Sequence, residues 1–426
     1  MANGRAAPSA PAHDERRSGR GKTVRSGAGH QVMRELNRSL VLDVLRQSSP
    51  ISRADISRAT SLAKPTVSAI VDDLIDDELI LEIGAGKSAS GGGRPPSMLE
   101  FNARSSYVVG VQIGVHTTTI VVADALGREV ARAARKTSRK RPVWMLTRIA
   151  EEIESLVAAL DDASPHVSAV GVCVPGLVDR EHGICKLAPN LGWQDVAIGP
   201  RLQERLGLHV VVHNTSQAAA VAEWTEGAGI GTRDMVFIYV GSGLGMGVFV
   251  DGRLHYGSRG MTGEIGHCRV EAVTEPCNCG KVGCLETVAS GPALSRAAQV
   301  ALASGAQTVL SNAESLEPEH IAAAAAGGDV VARDLVANVA RHLGIGASWL
   351  VNLFNPELVV VGGGLVEAGE VLLDPLREAM LQESLPQLAE EVRFAVSELG
   401  QDAEIRGALL LAMSSAEEYH RLLVQA

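Results

Sequence analysis

The stretch GEIGHCRVEAVTEPCNCGKVGCLE, residues 263–286, decides how the rest of this chain is read. His267 is followed by Cys277, Cys279 and Cys284, one imidazole and three thiols, the donor set of a closed tetrahedral zinc site. The cysteines are spaced C-x-C-x4-C, and Gly280 and Gly283 permit the tight turning that would aim three sulfurs at one ion. Four protein ligands leave no open coordination position, so the metal is expected to be structural. Cys268 is expected to pack rather than ligate, and Cys173 and Cys185 to be structural. Six cysteines with three crowded into 277–284 read as metal ligation in a reducing compartment, not as a disulfide scaffold.

Outward from this stretch, 46% hydrophobic residues, 45 glycines and only 3% aromatics suit a helix-rich α/β protein with many strand-to-loop turns, and exclude fibrous classes. The net charge of -10 is uneven: residues 1–100 hold 14 Lys/Arg against 12 Asp/Glu, and the remainder 25 against 37. An acidic bulk therefore leaves room for a small domain that meets phosphates. The first 30 residues are basic and polar without an apolar core, and no later stretch is apolar enough to span a bilayer. A cytoplasmic protein without a membrane partner is expected.

Residues 1–29 read as a disordered basic arm and 30–100 as a small domain of three short helices and a hairpin. Val32, Leu36, Leu40, Val41, Val44 and Leu45 recur at helical spacing before Ser48-Ser49-Pro50. A second helix is expected from Ser52 to Thr60, a turn over 61–63, and a third helix from Pro65 to Asp77 with Val67, Ile70, Val71 and Leu74 on one face. Strand-like 79–83, glycine-rich 84–93 and Arg94-Pro95-Pro96 describe a wing. Helix, tight turn, helix sets one helix across a DNA backbone and the next into the major groove. The expected contacts are Lys64, Thr66 and Ser68 at the third helix, Arg53 and Arg58 before it, and Arg94 at the wing base. Periodicity alone fits a dimerisation bundle equally well.

From Tyr107 onward, β-branched and glycine runs alternate with Ala/Leu-rich helical segments. The segments Ile51–Ile80 and Gly93-Arg94-Pro95, Gly110–Gly114, Val174-Pro175-Gly176, Pro189–Trp193, Gly241–Gly247, Gly263–His267 and the cysteine group together resemble the ROK family of repressors and sugar kinases. Glu78 departs from it, since such domains carry glycine before the wing strand. The resemblance implies a winged helix-turn-helix fused to a two-lobed actin-like ATPase fold, of the sugar-kinase and ribonuclease H-like kind. The lobes would span 106–225, completed by a C-terminal helix over 400–420, and 226–399 with the zinc site and a dimerisation surface. It implies a sugar-contacting set of Asn214, Glu264, His267 and Glu286, with zinc bracing the loop beside the cleft.

Phosphoryl transfer needs a base at the accepting hydroxyl and a phosphate-binding backbone. Family kinases carry aspartate after the position of Asn214, where this chain has Thr215, and Asp-x-Gly-Gly-Thr where it reads Gln112-Ile113-Gly114-Val115-His116. A threonine is a poor base, and loss of a general base costs about 10²–10⁴ in rate. The expectation is a sugar-responsive regulator, a repressor by resemblance, with a sugar or amino sugar as effector, double-stranded operator DNA as partner, and no ATP. A homodimer or dimer of dimers is expected. The competing readings are a bifunctional sugar kinase and a DNA-binding protein with a ligand-independent scaffold.

Overall fold

Three helices and a hairpin make up the first of two units, Met1–Asn102, and a pair of five-stranded sheets the second, Ala103–Ala426. The computed structural model describes residues 25–86, 95–138 and 141–425. In the first unit, α1 spans Arg25–Ser48, β1 Ile51–Ser52, α2 Arg53–Thr60 and α3 Lys64–Asp76, followed by β2 Ile80–Ala85 and β3 Ser97–Phe101. Of the apolar positions on α1, Val41 and Leu45 are buried, whereas Leu36 and Leu40 point outward. Ser52 caps α2: its Oγ accepts from the Asp55 amide and donates to the Asp55 carboxylate. Ser61 ends α2 in the left-handed region, and α3 buries Val67, Ile70, Val71 and Leu74. Arg34–Asp73 and Arg38–Asp77 ion pairs tie α1 to α3.

The hairpin pairs β2 with β3 antiparallel, and β1 adds to the far side of β3. Glu78, at the turn into β2, adopts φ 58°, the conformation that favours glycine. The family's glycine at this position thus has a backbone reason, and this chain keeps the turn at a steric cost. The wing tip over 87–94, with Arg94, and residues 1–24 of the expected arm lie outside the described residues, whereas residues 25–29, expected to be disordered, belong to α1.

The second unit opens with β4 (Tyr107–Ile113), β5 (Thr117–Asp124), β6 (Glu129–Lys136), α4 (Pro142–Ala158) and β7 (Val167–Val174). A small sheet of β8 (Leu177–Asp179), β9 (Ile184–Ala188) and β10 (Trp193–Ala197) follows, then α5 (Ile198–Leu206), β11 (Val210–Asn214) and α6 (Thr215–Glu226). The first large sheet has the order β11-β7-β4-β5-β6. Further on come β12 (Met235–Val240), β13 (Leu244–Val250), β14 (Arg253–Leu254), α7 (Gly291–Ala303), α8 (Pro318–Ala326) and α9 (Val330–Phe354). The chain ends with β15 (Leu358–Gly362), α10 (Glu370–Glu383), α11 (Pro386–Glu391), β16 (Arg393–Val396) and α12 (Ala403–Gln425). The second large sheet has the order β14-β13-β12-β15-β16. Both sheets begin as an antiparallel hairpin and continue with parallel strands whose crossovers are helices. None of the described helices is long and apolar enough to cross a membrane.

The last helix returns to the first sheet. Ile405, Leu409 and Ala412 of α12 pack with Val108, Val121 and Ala169, and α12 crosses α6 at Gly407. A Cβ at Gly407 would overlap the backbone carbonyl of Ala218, which has no freedom to yield. Arg406 clasps Glu226 at the other end of α6 and the Gly127 carbonyl. This seam fixes the start of α6, and with it Asn214 and Thr215. Gly407→Ala should therefore destabilise the second unit by about 2–4 kcal/mol, read as a lower melting temperature. An unchanged melting temperature would refute the backbone contact.

Candidate functional site

The loop between β14 and α7 contains only two single-turn 3-10 helices, Ile265–His267 and Leu285–Thr287, and two isolated bridges, Arg269↔Cys284 and Pro276↔Val282. It nevertheless gathers four donors. The ligand atoms of His267, Cys277, Cys279 and Cys284 all lie within 4.8 Å of one another. Cys279 Sγ is 3.6 Å from Cys284 Sγ, and Cys277 Sγ is 3.6 Å from His267 Nδ1. A tetrahedral zinc with Zn–S of about 2.3 Å requires S···S edges of about 3.8 Å, so the donor set and its spacing fit such an ion. Gly280 (φ 89°) and Gly283 (φ 80°) supply the turns. Cys268 is exposed and outside this group, which corrects the expectation that it packs. Cys173 and Cys185 are buried.

His267 faces two ways. Its Nδ1 points into the thiol group, and its Nε2 lies 3.7 Å from the Glu264 carboxylate. Burial, and then the neighbouring Glu286 carboxylate, push the Glu264 carboxyl up to about 7. Glu286 is itself held: Oε2 accepts from the Leu244 amide at 2.9 Å, and Oε1 faces the Asn190 amide at 3.5 Å. Asn214 caps α6, its Oδ1 accepting from the Ser216 and Gln217 amides and its Nδ2 donating to the Gly176 carbonyl. That leaves one amide hydrogen of Asn214 for anything else. Gln217 reaches from α6 to the carbonyls of Gly260 and Thr262, and Ser216 lies against Gly245 of β13, as does Gly263. The cap of α6 and the Glu264 loop thus both meet β13 at Gly245.

Two residues that the sequence reading did not single out belong to this cluster. Asn190, inside the quoted Pro189–Trp193 motif, accepts from Asn278 Nδ2 at 3.0 Å and donates to the Ser242 carbonyl at 3.2 Å. Asn278 stands between two of the metal-ligand cysteines. The motif position was the available signal for Asn190, and the flanking cysteines for Asn278.

Around Gln112 and the glycines of 241–247 the picture differs. Gln112 donates its amide to the buried carboxyl of Glu404 in α12, which also bonds Tyr239, and the Cys173 thiol donates to the Glu404 backbone carbonyl. The altered first loop is thereby occupied by an internal partner, and Val115 is buried. The glycines of 241–247 have packing reasons of their own: a Cβ would press on Tyr239 at Gly241, on Glu286 and Asn190 at Gly243, on Ser216 at Gly245 and on Ala220 at Gly247. Thr215 Oγ1 is buried without a partner among the described atoms, as is Nδ1 of His213, two residues earlier. Burial, and then the Arg180 guanidinium, bring the His213 imidazole down to about 3.

In the first unit, Lys64 is exposed at the start of α3, with Thr66 and Ser68 half-buried beside it. Arg53 is engaged by Asp72 and Glu82, and Arg58 by Asp55. Arg53 and Arg58 belong to α2 and Lys64, Thr66 and Ser68 to α3; Arg94 lies outside the described residues.

A family model described as "ROK family" matches residues 108–415. The chain is 32% identical over 389 residues to the xylose repressor of Caldicellulosiruptor bescii, covering 90% of this chain and 97% of that protein. A crystal structure of a ROK family transcriptional regulator, a homologue of the Escherichia coli Mlc protein, superposes with a TM-score of 0.76 at 30% identity, over 90% of this chain and 96% of that one. A ROK family glucokinase from Streptomyces griseus, solved with glucose and AMPPNP, gives a TM-score of 0.64 at 34% identity over 72% of this chain and 100% of that one.

The buried Glu404 sets a pH dependence. Its carboxyl is pushed up to about 7 from an ordinary 4.5, burial being the cause and the Tyr239 hydrogen bond opposing it. Between these values the folded chain keeps a proton that the unfolded chain has lost, so stability falls as pH rises through the window and stays lower above it. Glu404→Gln cannot ionise. Its melting temperature relative to the parent chain should climb from about pH 5 to about pH 7 and then level off. A difference independent of pH would show that Glu404 does not titrate.

Proposed function

The chain belongs to the ROK family, and on that premise we propose that it is a sugar-responsive transcriptional repressor acting on operator DNA. One observation carries the reading: a helix-turn-helix with a winged hairpin shares a chain with a body whose cluster of Glu264, His267 and Glu286 is built onto a metal-ligand loop.

On the DNA side, Lys64, Thr66 and Ser68 offer an ammonium and two hydroxyls at the α3 start, suited to phosphates and base edges. Arg53 and Arg58 exchange their carboxylate partners for phosphates at small cost, because exposed ion pairs are worth about 0–1 kcal/mol. Arg94 adds a backbone contact from the wing base. Operator half-sites about 34–36 Å apart call for a dimer, and a sugar-driven change in the separation of its two reading heads releases DNA.

On the effector side, Asn214, Glu264, His267 and Glu286 read the hydroxyls of a pentose, hexose or amino sugar, and the unpartnered Thr215 hydroxyl gains a bond from the same ligand. An unpaired buried polar group costs about 1–3 kcal/mol, which is the scale on which epimers are told apart. His267, Cys277, Cys279 and Cys284 hold zinc, which supplies a cross-link and no reactive position. Thr215 in place of a base and Gln112 committed to Glu404 speak against sugar phosphorylation and against ATP as a ligand. A reducing cytoplasm suits both the thiol set and a DNA partner.

Zinc-replete protein should show a raised melting temperature and an operator affinity lowered at least tenfold with one member of a panel of xylose, glucose and N-acetylglucosamine, at fixed salt. No response to any sugar at millimolar concentration would favour the ligand-independent scaffold. ADP release above background with any of them would favour the bifunctional kinase.

A further inference from the structure

Asn278 is the one residue between Cys277 and Cys279, so a metal bound by both cysteines fixes its backbone on either side. Its amide leaves the metal loop and donates to Asn190 Oδ1, 88 residues away in sequence. Asn190 spends its own two amide hydrogens on the Ser242 carbonyl and on Glu286 Oε1. The other oxygen of Glu286 receives the Leu244 amide. A single polar chain thus runs from the metal loop, through the turn that precedes β10, to Glu286 and the start of β13. Its polarity is fixed: an amide oxygen must face Asn278 and an amide nitrogen must face the carboxylate, an arrangement that only asparagine or glutamine at 190 can supply. Gly243 allows the approach, since a Cβ there would come within 2.9 Å of Glu286 and 3.1 Å of Asn190.

We propose that Asn278 is a positioning residue that relays metal occupancy to Glu286 through Asn190, so that the metal sets the geometry of one hydroxyl-reading carboxylate across the cleft. The proposal rests on the effector role of Glu286 given above. The relay itself is open to a test that needs no sugar. Without the Asn278 bond, Asn190 loses its fixed orientation, and the turn over 189–192 and the backbone near Leu244 lose an anchor.

Hydrogen exchange followed by mass spectrometry on full-length, zinc-loaded protein measures this directly. Asn278→Ala should retain one zinc per chain by atomic emission, yet exchange several-fold faster in peptides covering 189–194 and 241–246. Asn190→Ala should do the same. The double variant should exchange no faster than either single one, because both break the same chain. Chelation of zinc from the parent protein should accelerate the same peptides, and should add little to that acceleration in Asn278→Ala. With whichever of xylose, glucose or N-acetylglucosamine binds, each single variant should lose about fivefold in affinity. Unchanged exchange with zinc retained, additive effects in the double variant, or loss of zinc from Asn278→Ala would each overturn the relay. If the parent protein binds none of the three sugars, the effector reading fails while the exchange result still decides the relay.

Discussion

Three thiols and an imidazole within 4.8 Å of one another form the constraint on which the cleft depends. The chain from 255 to 290 has almost no ladder of its own, only two single turns and two isolated bridges, so its shape is not imposed by backbone hydrogen bonding. Deprotonated thiolates at such spacing repel one another, and a cation is what turns that crowding into a cross-link. Because His267 offers one nitrogen to the thiols and the other to Glu264, the order of the metal loop passes to Glu264 through that ring.

The two halves of the cleft have gone separate ways. On one side, carboxylates and amides remain turned toward each other with their partners held. On the other, Gln112, Tyr239 and Glu404 have closed on themselves, and a buried carboxyl fills the place beside the altered loop. A buried carboxyl next to that loop would repel a polyphosphate if ionised and would leave it no bond if neutral but already engaged. Glu223 shows the same economy elsewhere: it is fully buried and accepts from Ser397, from the amides of Glu398 and Leu399, and from Ala228, binding the end of α6 to the strand-to-helix turn before α12. Carboxylates inside this body serve its architecture.

What the sequence made legible was local. The metal donors fall within 18 positions of one another, so their grouping could be read from spacing, and the buried face of α3 followed from 3.6-residue periodicity. The wing turn at Glu78 was visible only as a missing glycine, and its positive φ explains the absence as a tolerated strain. The remainder came from distant pairs. Gln112 and Glu404 are separated by 292 residues, and Asn190 and Asn278 by 88; no period or motif joins them. Cys268 was misjudged for the opposite reason, since a local preference for buried thiols gave way to a loop whose surface is set by its ligands.

The glycine-rich run 241–247 shows why the distinction matters for function. Read locally, it is a cradle for phosphate, because glycines let backbone amides approach an anion. In the folded chain each of those glycines makes room for a side chain of the protein itself: Tyr239, Glu286 with Asn190, Ser216 and Ala220. The absence of Cβ atoms is therefore demanded by packing whether or not a nucleotide binds. The small residues of the loop follow from the need to seat Glu286 and the cap of α6, both in the polar cluster. With Gln112 engaged by Glu404 and the loop packed against Glu286 and Ser216, the glycines of 241–247 are accounted for by contacts within the folded chain.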